Sequence, residues 1–287
     1  MNGILLINKP SGLSSHDVVG KLRKILNIKK IGHTGTLDPA ATGLLVTLIG
    51  TATKLSPYLM DNDKEYYGEV IIGIATETED AEGPIVAVKS VEKELFVDVA
   101  LKSLLGKQMQ TPPMYSAVKQ EGKKLYQLAR RGIEIERCPR TITVYRLERT
   151  TPVIYENNTA RFSFIAKVSK GTYIRTLAVD IGKRLGFPAY LAGLHRRTVG
   201  DYSVADAFSL EAVASGDYRL LNMLTAFKEY PVIELPHELI DKVKSGQRLS
   251  AEELGVESDM IVISEKENLL AIYQKKNGRY CAARVWN

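Results

Sequence analysis

The sequence predicts an α+β fold, with a larger mixed unit over residues 1–230 and a small β-rich unit over residues 231–287. Three observations predict it. Amphipathic helical stretches and alternating strand-like runs are interspersed through the first 230 residues. Beyond them the texture changes to short strands and turns: YPVIEL, DMIVI, LLAIYQ and YCAARVW. The length of 287 residues, at about 150 per domain, suggests roughly two domains.

Taken in order, residues 3–8 (GILLIN) read as a short buried strand stopped by Lys9-Pro10-Ser11-Gly12. A helix follows, capped by Ser14 or Ser15, with Val18, Val19, Leu22, Ile25 and Leu26 on one face. Its other face and its exit carry Lys21, Arg23, Lys24, Lys29 and Lys30, which suit a solvated face or a phosphate contact alike. Residues 32–43 are too punctuated by Gly, Thr and Pro for regular structure. The apolar run LLVTLIG then suits an interior strand, and from Tyr66 to Gly73 the side chains alternate, with Tyr66, Val70 and Ile72 on one face. The acidic stretch Glu77 to Gly83 reads as an exposed hairpin connection without calcium-loop spacing. Residues 92–105 read as an amphipathic helix. An excursion over residues 106–140 concentrates basic residues, among them Arg130 and Arg131. Strands are expected at 141–150 and 160–169, and a helix from Thr172 with Ile174, Leu177, Ala178, Ile181 and Leu185 inward, ended by Gly186-Phe187-Pro188.

Composition bounds the function. Hydrophobic residues at 45% and charged residues at 25% exclude a disordered chain. The net charge of +6 modestly favours a polyanionic partner. Cys138 and Cys281 read as free thiols of a reducing compartment, and the four scattered histidines have no zinc spacing. The N-terminal apolar run is too short for a signal peptide, and no stretch reaches the ~18 apolar residues of a membrane span. A cytoplasmic protein is expected.

The loop GHTGTLDPAATG stands out because irregular segments on a rigid scaffold often carry function. Pro39 biases Asp38 away from helical angles, and the glycines permit tight backbone paths. Taken alone, this describes a turn that satisfies nearby N–H groups as well as it describes a catalytic carboxylate. The glycines do not form a phosphate-binding P-loop, because no Gly-Lys-Ser/Thr follows them.

Seven segments in register remove that ambiguity. NKPSGLSSHDVV, GHTGTLDPAATG, KEYYGEVIIG, TETEDAEG, PPMYSAVKQEGKKLYQLARRG, SKGTYIRTLAVDIG and LHRRTVG occur in this order over most of residues 3–200. Together they resemble the TruB family of tRNA pseudouridine synthases, the bacterial enzymes that isomerise uridine 55 in the T-loop of tRNA. Ser14 departs from the threonine usual at that place, and the C-terminal part matches only loosely.

The resemblance implies a core built on a mixed, mainly antiparallel sheet with flanking helices, a thumb-like insertion at 106–140, and a PUA-like C-terminal domain. It implies that Asp38 is the essential carboxylate, attacking the ribose or removing a 2′ proton, with no metal or cofactor. His33 would fill the tRNA loop where the target base has left its stack, and Tyr66 would stack on the flipped uracil. Arg175 would pair with Asp38, aim it and lower its pKa. Tyr173 and Leu194 would complete the uracil pocket, with Lys9 and Pro10 as scaffolding beside it. Lys170, Arg130, Arg131, Arg196 and Arg197 would touch the RNA backbone. The implied partner is the T-arm of tRNA, bound by a monomer without an obligatory protein partner. Two other readings share these motifs: the catalytic subunit of a guide-RNA particle, and a non-catalytic tRNA-folding factor.

Overall fold

The computed structural model describes the whole chain except Ala117, Glu121, Arg130, Glu134 and Asn287, and gives backbone alone at 119, 120, 123 and 124. Seven strands form the path of the principal sheet: β1 (Gly3–Lys9), β2 (Thr42–Ile49), β3 (Lys64–Ile72), β4 (Gly106–Gln110), β5 (Arg140–Arg149), β6 (Thr159–Val168) and β7 (Ala189–Val199). Their order is β1-β2-β7-β3-β6-β5-β4. Each neighbouring pair along it is antiparallel except β2 and β7, which run parallel and touch at Thr42–His195 and Gly43–Arg196. The sheet is therefore mixed and mainly antiparallel.

The strand alternation expected around Tyr66 is realised. Tyr66, Gly68, Val70 and Ile72 face inward on β3, and Phe162, Phe164, Ala166 and Val168 do so on β6. Register pairs Gly68 with Phe164, whose ring lies where a side chain at 68 would stand: a Cβ there would come within 2.6 Å of the Phe164 ring. This face packs against α3 (Ile174–Leu185) through Ile174, Leu177, Ala178 and Ile181. Helix α1 (Ser15–Leu26) starts at the Ser14 cap, where Ser14 and Asp17 bond reciprocally, and buries Val18, Val19 and Leu22 beside Leu5 and Ile7. Each such buried side chain contributes about 1.5–3 kcal/mol.

Two expectations need correction. The helix expected over 92–105 is only α2 (Val97–Lys102), which starts after Phe96 and leaves Phe96 and Val99 exposed. The stretch 77–83 does join two paired strands, Ile74–Thr76 and Ile85–Val88, but it folds inward over the start of α3. The C-terminal part is β-rich as expected, a four-stranded sheet over 232–285 with α4 (His237–Lys244) and α5 (Ala251–Leu254) beside it. That sheet leans on the larger unit: Met260, Val262, Ile272 and Trp286 share a cluster with Ile4, Leu6 and Leu44. Trp286 Nε1 also donates to Thr51 O (3.2 Å). Among the described residues no helix is long and apolar enough to cross a membrane.

Candidate active site

The parallel junction of β2 and β7 is where the loop bearing Asp38 is built. Gly43 has φ +100°, and a Cβ on it would lie 2.3 Å from Arg196 O, so the two strands meet only because residue 43 has no side chain. The loop before it is tied down on both sides. Ser15 Oγ accepts from Leu37 N (2.8 Å), and Gly12 N donates to Pro39 O (3.0 Å). The buried Lys9 ammonium donates to the carbonyls of Pro10 (2.9 Å), Leu13 (2.5 Å) and Pro39 (3.0 Å). Lys9 thus joins the first motif to the loop, as scaffolding should.

Arg196 requires a correction. The expectation of an RNA backbone contact needs an exposed guanidinium, whereas Arg196 is 2% exposed. It donates to Leu44 O (2.7 Å), Gly35 O (3.0 Å) and Thr36 O (3.4 Å), holding the loop from beneath. Arg197 lies at a register shift of β7, between Arg196 and Thr198; it is exposed and pairs with Glu65 at 3.1 Å.

Arg175 enters from the first turn of α3. Its Nε lies 3.0 Å from Asp38 Oδ2 and its Nη2 3.4 Å from Oδ1. The Nε–H is not aligned with the carboxylate, so the Nε contact is an ion pair and the hydrogen bond comes from Nη2. The guanidinium is buried and held by Thr78 O (2.9 Å), Tyr115 O (2.8 Å) and Asp80 Oδ2 (3.4 Å). Asp38 itself keeps 41% of its side-chain surface open, which leaves one face of a fixed carboxylate free for a substrate. Burial raises the Asp38 pKa above its usual 3.8; Arg175 pulls it back, Asp80 adds to the rise, and the balance is upward. Arg175 lowers it as expected, but desolvation outweighs the pair.

Tyr66 is buried in one apolar cluster with Leu37, Ala41 and Ile174, and Leu194 is half-buried against it. Tyr173 precedes α3, and burial raises its phenol's pKa. His33 is half-buried; desolvation first, then Arg196, lowers its pKa. Gly35 N donates to its Nδ1 (3.3 Å), which leaves the proton of a neutral ring on Nε2. Lys170 lies on the surface, paired with Asp61 at 2.6 Å, and Arg131 is exposed on the insertion. Arg130 lies outside the described residues.

Sequence reasoning missed the residues that hold Arg175: Thr78, Asp80 and Tyr115. Two of them act through backbone carbonyls, which no side-chain pattern announces. Asp80 had a signal, its place in TETEDAEG, but was read there as part of an exposed turn. Its carboxylate is anchored instead by Thr78 Oγ1 and by Glu82 N (3.0 Å). Among the described residues no group of three or more His, Cys, Asp or Glu side chains is placed to hold a metal ion.

Comparison with known proteins bears on this geometry. Residues 23–174 match the model of a family described as TruB family pseudouridylate synthase (N terminal domain). The tRNA pseudouridine synthase B of Bacillus pumilus (strain SAFR-032) is 44% identical over 288 residues, covering 96% of this chain and 93% of that protein. That of Streptococcus pneumoniae serotype 4 is 42% identical over 295 residues, covering 100% of both. Among solved structures, a chain of a Cbf5-Nop10-Gar1 complex superposes with a TM-score of 0.72 at 24% identity, covering 99% of this chain and 84% of that one. At that identity the likeness is one of fold.

Proposed function

The chain belongs to the TruB family of pseudouridylate synthases, and from that premise we propose that it converts uridine 55 in the T-loop of tRNA to pseudouridine, with Asp38 as the reacting carboxylate. Pseudouridine synthesis on tRNA follows from the family and its full-length relatives. The position and the mechanism are our reading. The observation that carries it is a half-open carboxylate held by a buried arginine, the chain neighbours of both, Leu37 and Ile174, lying in one apolar cluster with Tyr66.

A uridine inside a folded loop has to leave its stack before it can reach Asp38, at a cost of a few kcal/mol. Tyr66 offers the uracil a π-face and Leu194 an apolar wall, which together offset that cost. The neutral ring of His33 fills the space the base vacates. Phosphates along the loop are met by Lys170, Arg131 and Arg197, which sit on the surface.

Of the two roles open to Asp38, removal of a ribose proton is the one proposed here, as a general base. The ribose C2′ proton passes to Asp38, a C1′–C2′ double bond forms, and the C1′–N1 bond breaks to release uracil as its anion. The base turns so that C5 faces C1′. Joining C5 to C1′ draws the proton back from Asp38 to C2′, after which C5 loses its proton and N1 gains one. Arg175 keeps Asp38 ionised between turnovers.

Replacing Asp38 by Asn tests the assignment. Single-turnover formation of pseudouridine in a T-arm transcript should fall by about 10³-fold or more, the scale of a lost general base. A rate within tenfold of the parent enzyme would remove Asp38 from the chemistry.

A further inference from the structure

The insertion at 106–140 leaves and rejoins the sheet through β4 and β5, where Gln110 pairs with Arg140. Gln110, the last residue of β4, is 4% exposed and lies 63 residues from the segment it binds. Its amide donates from Nε2 to Tyr173 O (3.1 Å), and its Oε1 accepts from Tyr173 N (2.8 Å). One side chain thereby satisfies both main-chain groups of the residue that caps α3. Tyr173 O is already committed to Leu177 N (3.0 Å) in the first turn of α3, so Gln110 fixes the point at which that helix starts. Two residues on is Arg175, and five residues beyond Gln110 is Tyr115, whose carbonyl holds the Arg175 guanidinium. At the far end of the insertion, Arg137 Nη1 donates to Pro112 O (3.1 Å) and closes the ring around this root.

We propose that Gln110 is a positioning residue that makes the root of the insertion part of the catalytic site, setting Tyr173 directly and Arg175 through the start of α3. Its side-chain hydrogen bonds go to Tyr173 and not to Asp38. Any displacement of the insertion on binding RNA is transmitted to the ion pair that keeps Asp38 ionised and aimed. This inference rests on the reading of Asp38 and Arg175 given above.

The test compares Gln110→Ala and Gln110→Glu with the parent enzyme, in single turnover on a T-arm transcript across pH. Loss of two buried hydrogen bonds and the resulting misplacement should lower the rate of Gln110→Ala by about ten- to hundred-fold, with transcript affinity unchanged. Because Arg175 lowers the Asp38 pKa, loosening it should also move the acid limb of the rate upward. Gln110→Glu keeps the acceptor but loses the donor, and regains it only when protonated. Its rate relative to the parent enzyme should therefore rise as pH falls. A parent-like rate and acid limb in Gln110→Ala would overturn the proposal, as would a loss confined to affinity. So would two variants that both fail to fold, since Gln110 would then be an element of the fold alone. If the parent enzyme makes no pseudouridine in the transcript, the reading of the site fails first; an active parent with indifferent variants sinks only Gln110.

Discussion

Replacing Arg196 by methionine separates a buried arginine that holds a loop from a surface arginine that holds RNA. The structure gives Arg196 two short hydrogen bonds, to Leu44 O (2.7 Å) and Gly35 O (3.0 Å), and a longer one to Thr36 O (3.4 Å). Hydrogen bonds to a charged donor are worth about 1.5–3 kcal/mol each, so the two short ones contribute roughly 4 kcal/mol. Methionine keeps much of the aliphatic volume and removes a desolvated charge, which offsets part of that and leaves a loss of about 3 kcal/mol. At about 2–4 °C per kcal/mol for a unit of this size, the Tm should fall by about 6–12 °C. A thermal melt measures this directly. Salt titration of tRNA binding supplies the second half: below the melt, Arg196→Met should leave the slope of log Kd against log salt unchanged. Arg197→Met should flatten it by about 0.7–0.9, the release of one phosphate contact. An Arg196→Met protein that melts with the parent and loses salt slope would refute the reasoning.

The remaining predictions concern charge. Asp38 reacts ionised, so the rate falls as pH drops through its pKa; with that pKa raised by burial, the acid limb of a single-turnover pH profile should lie above 3.8, and a limb below it would contradict the burial argument. Arg175→Gln removes the lowering partner and should move the limb higher still. Neutralising Arg130 and Arg131 together should weaken tRNA binding and flatten its salt dependence, and an unchanged slope would exclude phosphate contact by that pair.

Much of the fold was legible because its signals are local. The Ser14 cap with Asp17 three residues on, the alternation through Tyr66, Val70 and Ile72, and the apolar spacing from Ile174 to Ile181 each lie within a dozen residues. What failed was decided across the chain. Nothing in GPIVAVK or TETEDAEG tells that residues 77–83 fold onto an arginine 97 residues from Thr78. The adjacent Arg196 and Arg197 read as a pair of surface charges, whereas β7 shifts register between Arg196 and Thr198 and leaves one buried and the other exposed. The upward pKa of Asp38 was missed for a related reason: sequence names its partner Arg175 but not the burial that outweighs it. The short α2 shows the limit of periodicity, since Phe96 and Val99 fit a helical count and still face solvent.

The most direct test is to map every pseudouridine formed when unmodified tRNA is incubated with the purified chain and with its Asp38→Asn variant. The account predicts modification at position 55 of the T-loop by the parent chain and none by the variant. Modification at other positions instead, or undiminished modification by Asp38→Asn, would contradict it.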